Sequence, residues 1–486
     1  MKEDIIRSRK EKLERLKLKG IPPYPLSYHR THTNEQVVNM ILEGKEDLPQ
    51  VRVSGRVMAH RNMGKVSFID LVDGSQKIQL YVKKEHLSEK SGEVIECLDL
   101  GDIIGAEGRP FLTRTKEPSI DTSEIIMLAK SLQPLPEKWH GLADTEKRYR
   151  QRYLDIISNP EVKDIFKKRS QIVSSVRRHL DERGFLEVET QILQPIAGGA
   201  SARPFITYYN ALDQNFYLRI ALELHLKRLI VAGYDRVYEL GRVFRNEGID
   251  TRHNPEFTML ECYQAYADYH DMMQLVEEMV SDIVREINHS YQIEFAGRLI
   301  DFEPPWKRLD LRQALIDYAG IDFLAYPDAK SLKQEMMARG LEVDPQKSRG
   351  KLLDELLSRF VEPELWQPTF LLDYPKDMSP LAKAKPDDPQ IVERFESFAG
   401  CLEIANAFTE LNDPLEQRER FLEQLKEATA EEQGDGRIDE DFLNALEHGM
   451  PPTGGLGIGI DRLVMLATNQ QSIREVILFP QLKEKG

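Results

Sequence analysis

One stretch of the chain combines several arginines and a carboxylate with two strand-like runs. In RVYELGRVFRNEGIDTRHNPEFTMLECYQAY, residues 236–266, these runs flank a polar loop at 246–255. The side chains around the loop that can carry positive charge are Arg242, Arg245, Arg252 and His253. In the returning run, the two-residue period of a strand puts four side chains on one face, namely Phe257, Met259, Glu261 and Tyr263. A carboxylate among apolar neighbours is costly unless it meets a cation, so the pattern predicts a binding site rather than scattered surface charges.

A second cluster places four glutamates, Glu393, Glu396, Glu403 and Glu410, in strand-like sequence, ERFESFAGCLEIANAFTELNDP. If the chain turns near Gly400, Glu396 and Glu403 lie almost opposite each other in a hairpin. Two carboxylates so close repel unless they share a proton or a cation, and hard oxygens recruit Mg²⁺. The other face of the returning strand is then predicted to carry Asn406, Phe408 and Glu410. The alternative of an exposed strand with solvated acids stays open, since such clusters mark sites only in a statistical sense.

Alternate glycines mark a third block, GGLGIGIDRLVML, at residues 454–466. Because Gly455, Gly457 and Gly459 leave one strand face without side chains, a flat ligand could lie against the backbone there. Arg462 follows at the predicted start of a helix. The block fits neither the dinucleotide fingerprint nor the glycine-rich phosphate loop, so a nucleotide, if bound, is held in another way. Tight packing is an equally good explanation of alternate glycines, and both interpretations stay open.

Two regions with different periodicities must position these residues. From 51 to 132 there are five short β-rich runs, with a helical run after the third and a hairpin signal, Asp73-Gly74, between the second and third. This is the order of an OB-fold, a barrel that often binds oligonucleotides, although any small five-stranded barrel fits. A stretch rich in proline and charge follows at 134–157. Past it, Asn159-Pro160 predicts a helix start, and helices then alternate with strands in antiparallel contexts.

The net charge of this 486-residue chain is −15, whereas proteins that bind nucleic acid are usually basic. Net charge is a sum over surfaces, however, and residues 7–19 carry seven basic side chains in a helical register. That stretch is either a soluble surface helix or one that contacts nucleic acid, and both remain open. Three cysteines without a Cys-x-x-Cys pair argue against a disulfide framework and a zinc site. This use of cysteine suits a reducing cytosol, so we expect a cytoplasmic protein. No apolar run approaches the ~18 residues of a membrane span, so we expect no membrane partner.

Three blocks, at 184–205, 236–266 and 454–466, resemble motifs 1, 2 and 3 of the class II aminoacyl-tRNA synthetases. In detail they are similar to the lysyl-tRNA synthetases of subclass IIb. The segments that carry this likeness are PLPEKWHGL, PIAGGA, TRHNPEFTMLE, ANAFTELNDP and GLGIGIDR. The likeness extends from about residue 51 to residue 480. The sequence lacks the His-x-Gly-His and Lys-Met-Ser-Lys-Ser signatures of class I synthetases, which excludes the unrelated class I enzyme.

The resemblance implies an α+β protein, in which a five-stranded OB-fold β-barrel precedes a class II catalytic domain. The catalytic domain of this family is an antiparallel sheet flanked by helices. The implied divisions are an N-terminal helical extension at 1–50, the anticodon-binding barrel at 51–133, a linker at 134–157 and the catalytic domain at 158–486. Members of the family are homodimers through motif 1, so we expect a homodimer that meets around 185–195.

The same resemblance assigns roles to individual residues. Arg245 should grip the α-phosphate of ATP and Arg462 the far phosphates, which makes these two the catalytic residues, while Phe257 should stack on adenine. The remaining ATP contacts would be Glu247, His253, Asn254, Glu396 and Glu403. Of these, Glu396 and Glu403 would also hold Mg²⁺, with up to three ions in each active site. The lysine pocket would consist of Gly199, Glu223, Glu261, Tyr263, Asn406, Phe408 and Glu410. The anticodon would be read by Phe68, Gln79 and Glu117.

The implied activity is the ATP-dependent attachment of L-lysine to tRNA(Lys) through a lysyl-adenylate, with Mg²⁺ as cofactor. Aspartyl- and asparaginyl-tRNA synthetases share the arrangement of an OB-fold followed by a catalytic domain. An acidic substrate, however, would require arginine where ANAFTELNDP has acidic residues. A lysyltransferase that acts on an elongation factor resembles the catalytic domain and lacks the barrel. An inactive, synthetase-like binding protein is a further alternative. Four intact residues argue against it, namely Arg245, Glu396, Glu403 and Arg462.

Overall fold

The computed structural model describes residues 2–44, 47–136, 144–196, 198–199, 202–427 and 437–483. The chain forms two compact units, Met1–Ala143 and Asp144–Gly486, each with its own hydrophobic core. Parts of two segments that carry the family resemblance lie outside the described residues. They are 137–142 of PLPEKWHGL, and Ala197 and Ala200 of PIAGGA.

The first unit is built on a closed five-stranded barrel. Its elements are α1 (Lys2–Leu18), α2 (Asn34–Leu42), β1 (Val51–Met63), β2 (Val66–Val72), β3 (Lys77–Lys83), α3 (Glu89–Glu96), β4 (Ile103–Leu112) and β5 (Pro118–Ala129). The strand order is β1-β2-β3-β5-β4, with a helix after the third strand. Alternate residues of β1 and β2 point inward, as the two-residue period requires, and Val53 and Ile69 are completely buried. The predicted OB-fold is confirmed, including the hairpin at Asp73-Gly74.

Three basic residues of helix α1 bind the barrel. Arg9 is buried, and its guanidinium donates hydrogen bonds to three main-chain carbonyls of the barrel unit. Lys12 lies 2.7 Å from Asp99, and Arg15 forms an ion pair with Glu93. A buried arginine is stable only when its donors are paired, and the barrel supplies those partners. For these three residues the contacts favour the structural interpretation of the basic stretch.

The second half of the linker predicted at 134–157 forms two helices of the second unit, α4 (Thr145–Arg150) and α5 (Arg152–Ser158). Arg152 is completely buried, because its guanidinium lies 2.7 Å from Asp155 and donates to the main-chain carbonyl of Arg474. The structure therefore differs from the prediction. Prolines and dense charge predict a junction between domains, whereas charges in its second half pair with each other inside the second unit.

An eight-stranded sheet forms the centre of the second unit. Its strands, in spatial order, are β14 (Lys307–Asp310), β15 (Thr369–Pro375), β16 (Ile391–Ala399), β17 (Leu402–Thr409), β18 (Thr453–Gly459), β11 (Glu256–Ala265), β10 (Arg236–Phe244) and β6 (Leu186–Glu187). Neighbours are antiparallel except at the two edges, where β14 runs parallel to β15 and β6 to β10. The predicted antiparallel sheet is confirmed, as is the long-looped hairpin formed by β10 and β11.

The two faces of this sheet differ in chemistry. One face packs on helices α6 (Pro160–Asp181), α8 (Tyr269–Asn288) and α14 (Ile460–Ala467) through a large apolar core. Helix α6 begins with Asn159 at its N-cap and Pro160 in its first turn, as predicted. The opposite face carries Glu261 and Tyr263, and it packs on α7 (Glu223–Val231) and α13 (Glu440–Glu447). We call this second surface the site face.

Smaller elements complete the second unit. Its other helices are α9 (Leu311–Ala314), α10 (Ala329–Ala338), α11 (Arg349–Leu356), α12 (Pro414–Glu427) and α15 (Ile473–Val476). Two π-helical segments, Leu315–Ala319 and Leu357–Val361, continue α9 and α11. Its other strands are β7 (Leu193–Gln194), β8 (Ile206–Tyr209) and β9 (Gln214–Leu218) in one small sheet, and β12 (Gln292–Phe295) and β13 (Arg298–Asp301) in a hairpin. Among the described residues, the short 3₁₀ helices are Phe323–Ala325, Glu362–Glu364 and Lys376–Met378 in this unit and Lys84–His86 in the first. None of the described helices is long and apolar enough to cross a membrane.

Candidate functional site

Arg245 lies at the end of strand β10, where the loop to β11 begins. Its guanidinium carbon lies 5.2 Å from the centroid of the Phe257 ring, within the range of a cation–π contact. Burial lowers the pKa of Arg245, and the nearby carboxylates of Glu247 and Glu403 oppose that shift. An arginine keeps its charge even when its pKa falls. The site face therefore holds a partly buried cation beside an aromatic ring, which suits an anionic ligand with a flat base.

The loop between β10 and β11 carries three further residues to which the family resemblance assigns contacts with ATP. Glu247 and His253 are exposed, and the Nδ1 atom of His253 lies 2.9 Å from Asp250. Asn254, by contrast, is buried, and its Nδ2 donates to the main-chain carbonyl of Glu256 at 2.6 Å. Its Oδ1 is buried as well and has no hydrogen-bond partner within the described part of the chain. Asn254 thus braces the loop through one amide atom and leaves the other unused.

Three carboxylates meet on the site face. Glu223 opens helix α7, Glu261 lies in β11 and Glu410 follows β17, and none is more than 6% exposed. Burial raises the pKa of all three, that of Glu261 to about 7, and mutual repulsion adds to the shifts of Glu261 and Glu410. The Oε2 atom of Glu261 accepts a hydrogen bond from the hydroxyl of Tyr263 at 3.2 Å. This contact confirms that Glu261 and Tyr263 share a face. We call the buried carboxylates of Glu223, Glu261 and Glu410 the acidic floor. Such a group of carboxylates suits a cation.

The glycines of β18 shape this floor. A β-carbon at Gly455 would overlap the Oε1 atom of Glu410 and lie 2.6 Å from the Tyr263 ring. A β-carbon at Gly459 would meet only the side chain of Arg462, at 3.7 Å or more. At Gly455, therefore, the missing side chain makes room for Glu410 rather than for a flat ligand. Packing is the correct interpretation at this one glycine.

Of the two oxygens of Glu410, only Oε1 lacks a partner among the residues that the structure describes. The Oε2 atom does form an ion pair with the ammonium of Lys227, which also lies 2.5 Å from Glu223 Oε1. Sequence reasoning missed Lys227. The available signal was its position four residues after Glu223 on one helix, a spacing at which charged side chains meet.

The predicted facing of Glu396 and Glu403 is wrong. Glu396 lies opposite Asn406 and Glu403 lies opposite Phe398, and a β-bulge at Ile404 separates these two pairs. Ile404 and Ala405 both point into the core, so the bulge returns Glu403 to the face that carries Asn406. The prediction that Asn406 lies on the other face from Glu403 is wrong for the same reason.

Each of these two acids has an arginine partner. Arg394, which sequence reasoning also missed, donates to Glu396 Oε1 at 2.6 Å, while Arg462 donates to Glu403 Oε2 at 2.8 Å. The hydroxyl of Tyr374 donates to Glu396 Oε2 at 2.8 Å. Burial raises the pKa of Glu396 to about 7, against the attraction of Arg394, and the charge of Glu403 adds to the shift. The two carboxylates are thus near enough to repel each other, although they are not paired across the hairpin.

The residues present fit a magnesium–nucleotide complex rather than a metal held by protein alone. The described residues contain no group of three or more His, Cys, Asp or Glu side chains placed to hold a metal ion. Mg²⁺ is commonly bound by one or two carboxylates together with substrate phosphates. Glu396 and Glu403 supply two such carboxylates on the face that also holds Arg245 and Arg462.

The other predicted lysine-site residues lie around the acidic floor. Gly199 has φ +87°, and a β-carbon there would lie 3.1 Å from Ala221 and 3.4 Å from the Cβ of Glu223. Its loop therefore passes beside Glu223 in a left-handed backbone conformation that favours glycine. The ring centroid of Phe408 lies 5.6 Å from the ammonium of Lys227.

The barrel of the first unit carries the three predicted anticodon residues. Phe68 points outward from β2, and its ring lies 5.4 Å from that of Tyr81 on β3, which in turn lies 5.9 Å from Phe111. Gln79 is largely buried where β3 meets β5, whereas Glu117 forms an ion pair at the surface. The row of three aromatic rings was not foreseen, since only Phe68 was singled out. Aromatic rings on an OB-fold suit the stacking of unpaired bases.

Comparison with known proteins agrees with this layout. The family described as "tRNA synthetases class II (D, K and N)" matches residues 144–483, and the family "OB-fold nucleic acid binding domain" matches residues 51–134. Three relatives are named lysine–tRNA ligase. The protein of Dehalococcoides mccartyi is 59% identical over 100% of this chain and 99% of its own length. Those of Chloroflexus aurantiacus and Moorella thermoacetica are 52% and 51% identical, over 99% of this chain and 99% and 98% of their own lengths. The chain therefore belongs to the lysine–tRNA ligase family of class II aminoacyl-tRNA synthetases.

Proposed function

We propose that Glu223, Glu261 and Glu410 bind the ammonium groups of L-lysine, in the attachment of lysine to tRNA that is the activity of this family. One observation carries the proposal. Glu410 is completely buried, and its Oε1 atom has no hydrogen-bond donor in the described part of the molecule. A buried carboxylate of this kind is costly to the empty protein, and an ammonium removes the cost. A site built to pair a charge also rejects ligands that lack it far more strongly than an apolar pocket rejects a missing methylene.

ATP is bound on the same face by the arginines. Arg245 contacts the α-phosphate, Arg462 contacts the far phosphates, and the adenine stacks on Phe257. The cation–π contact of Arg245 with Phe257 supports this, because it brings a phosphate ligand and a stacking ring together. The assigned nucleotide contacts of Glu247, His253 and Asn254 belong to the same proposal.

The reaction then needs no nucleophile from the protein. The carboxylate of lysine attacks the α-phosphorus, the bond to pyrophosphate breaks, and lysyl-adenylate forms. In the second step, the 3′-hydroxyl of the terminal ribose of tRNA attacks the adenylate carbonyl and releases AMP. Arg245 and Arg462 act by positioning the reactants and by neutralising charge that develops on phosphate oxygens.

Mg²⁺, which the family generally requires, neutralises phosphate charge when it is bound. Glu396 and Glu403 would hold Mg²⁺, with up to three ions in each active site. Arg394 and Tyr374 orient Glu396 through hydrogen bonds of 2.6 and 2.8 Å, and Arg462 orients Glu403. These partners keep the two carboxylates on the site face in a defined geometry.

The barrel supplies the contact with tRNA. Phe68 offers a ring for base stacking, and Gln79 and Glu117 offer polar groups for base edges.

The three cysteines are Cys97, Cys262 and Cys401, and all are free thiols. Free thiols support the cytoplasmic location that the sequence predicts.

The dimer is proposed to form through motif 1 and the small sheet β7-β9-β8. Exposed apolar side chains cluster there, namely Leu186, Ile192, Leu193, Ile206 and Tyr208, each between 44% and 60% exposed. Apolar groups gathered in this way mark an interface. Sedimentation of wild type and Ile206→Lys tests this: the wild type should sediment as a dimer and the variant as a monomer.

Lysine-dependent ATP–pyrophosphate exchange tests the pocket. Glu410→Gln should raise the KM for lysine and leave the KM for ATP nearly unchanged. Removing one partner of a buried charge pair costs ~2–5 kcal/mol, on the order of tens- to thousands-fold. Glu440→Gln is the control, since Glu440 forms an exposed pair with Arg418. An unchanged KM for lysine in Glu410→Gln would refute the pocket assignment.

A further inference from the structure

Lys227 is a completely buried cation that the proposed reaction does not use. Its Nζ atom lies 2.5 Å from Glu223 Oε1 and forms a second ion pair with Glu410 Oε2. The ring centroids of Phe408 and Phe442 lie 5.6 and 6.0 Å from the same atom. The ammonium is therefore enclosed by two carboxylates and two aromatic rings, and its side chain has no exposure to solvent.

The contact of Lys227 with Glu410 leaves one of the two Glu410 oxygens without a partner among the described residues. Lys227 takes Oε2, whereas Oε1 lies against Gly455 and near the ring of Tyr263. Oε1 is the atom for which no described residue supplies a hydrogen bond. One oxygen of Glu410 is thus committed to the protein, and the other is left for an ammonium from outside.

Charge balance explains why a cation is needed at this point. Burial raises the pKa of both Glu223 and Glu410, and a protonated carboxyl cannot form an ion pair with an ammonium. The charge of Lys227 opposes that shift on each of them. The two carboxylates in turn raise the pKa of Lys227, although burial lowers it. Lys227 therefore opposes the neutralisation of both carboxylates, and the two carboxylates oppose the neutralisation of Lys227.

We propose that Lys227 is a positioning residue that sets the specificity of the site for a substrate with a side-chain ammonium. Its fixed charge holds Glu223 and Glu410 ionised and orients Glu410 so that Oε1 receives the ε-ammonium of lysine. This inference rests on the function proposed above for Glu410. A substrate without the ammonium leaves the ionised Oε1 buried and unpaired, so it is rejected.

The competing interpretation is that Lys227 only braces helix α7 through its i,i+4 pair with Glu223. The two interpretations differ in selectivity. Loss of a brace would weaken the binding of every amino acid to a similar degree. Loss of the counter-ion would weaken the binding of lysine and spare a ligand that has no ammonium in its side chain.

The test compares wild type with Lys227→Met in ATP–pyrophosphate exchange. L-Norleucine is used as a competitor, because it has a four-carbon side chain like that of lysine but without the ammonium. The measured quantity is the Ki of norleucine divided by the KM of lysine. We expect this ratio to fall at least about tenfold in Lys227→Met, through the KM of lysine, with the KM of ATP within about twofold of wild type. An unchanged ratio, whether both ligands weaken together or neither does, overturns the proposal.

Lys130 offers a matched control in the barrel unit. It is equally buried, and its ammonium lies 2.5 Å from Asp99 and 2.7 Å from Asp102. Lys130→Met removes a buried cation beside two carboxylates, as Lys227→Met does, but away from the acidic floor. It should lower the melting temperature and leave the selectivity ratio unchanged. A similar fall of the ratio in Lys130→Met would mean that the effect is general, and it would refute the assignment to Lys227.

Two further variants keep the result interpretable. If Lys227→Met does not fold, Lys227→Arg is decisive: it keeps the charge, so the ratio should stay within about threefold of wild type even if both constants change. A folded Lys227→Arg that has lost selectivity overturns the proposal. Glu410→Gln distinguishes a failure of the pocket assignment from a failure of the role proposed for Lys227. If it leaves the KM of lysine unchanged, the pocket assignment fails; if it raises that KM while Lys227→Met keeps the ratio, only the role of Lys227 fails.

Discussion

At the scale of single residues, Glu261 is a buried pocket acid whose pKa lies well above that of an ordinary carboxyl group. Burial, followed by repulsion from Glu223, raises its pKa to about 7. The folded protein thus binds this proton more tightly than the unfolded chain does. The contribution of Glu261 to stability is accordingly present at low pH and lost as the pH rises through about 7. The pH dependence of lysine binding has the opposite sign. The affinity rises with pH, because the ammonium of lysine requires the ionised carboxylate of Glu261.

We therefore predict that the affinity for lysine falls as the medium is acidified below pH 7. The expected slope is about tenfold per pH unit, since one proton must leave for each lysine bound. Calorimetric titration with lysine alone measures it without interference from nucleotide. Glu261→Gln should bind more weakly and should show a flatter profile. A slope equal to that of wild type in Glu261→Gln would assign the titration to another group.

The residues that could be predicted at this scale are those whose spacing along one strand fixes their face. Glu261 and Tyr263 are two apart in a strand, and the hydrogen bond between them follows from that period. Lys227 and Arg394 were missed for a physical reason. Each is a basic residue near an acid in sequence, as surface pairs also are, and only the fold shows that the acid is buried.

At the scale of elements, one inserted residue decides where Glu403 lies. The bulge at Ile404 turns two consecutive side chains into the core, which a regular strand cannot do. The turn near Gly400 was predicted correctly, and the register beyond it was not. A bulge has no distinctive composition here, since Ile404 and Ala405 are ordinary strand residues. The pairing of the two acids with separate arginines could not be foreseen for this reason.

The glycines of strand β18 give a prediction at the same scale. Gly455→Ala would place a methyl group on the Oε1 atom of Glu410 and against Tyr263, so Glu410 must move. We expect the KM for lysine to rise at least about tenfold, because a shifted carboxylate loses its ion pair with the ligand. Gly459→Ala, whose methyl group has free space, should leave that KM unchanged. Exchange kinetics on both variants measure the difference. Equal effects would show that the glycines serve strand flexibility rather than the space for Glu410.

At the scale of the whole molecule, the two units have separate cores and separate tasks. The barrel and the large sheet could be predicted because the hydrophobic period changes from one region to the next. The segment between them could not, since the burial of Arg152 depends on a partner, Arg474, more than three hundred residues away in sequence.

A shortened chain that starts at Asp144 tests this separation. It keeps the core, the acidic floor and both ATP-binding arginines of the second unit. We expect it to catalyse lysine-dependent pyrophosphate exchange, because adenylate formation uses residues of that unit alone. Transfer to tRNA should fall sharply, because the anticodon contacts are missing. Circular dichroism and sedimentation would first show that it folds and dimerises. Loss of exchange in a folded dimer would contradict the division of tasks.

The last prediction separates base recognition from stability within the barrel. Phe68 and Ile69 are neighbours on β2 whose side chains point to opposite faces, Phe68 outward and Ile69 into the core. Phe68→Ala should remove a stacking surface worth ~1–3 kcal/mol per base, so kcat/KM for tRNA should fall while lysine activation and the melting temperature change little.

Ile69→Ala is the matched comparison, because it leaves a cavity in the barrel that costs ~2–5 kcal/mol of stability. Its melting temperature should fall, and its loss of aminoacylation should follow the fraction of unfolded barrel as the temperature is raised. In Phe68→Ala, by contrast, the loss should be present at every temperature, since a missing base contact does not depend on unfolding. Melting curves, pyrophosphate exchange and aminoacylation on the two variants distinguish these patterns. If Phe68→Ala loses stability as Ile69→Ala does, then Phe68 serves the packing of Tyr81 and Phe111 and does not read a base.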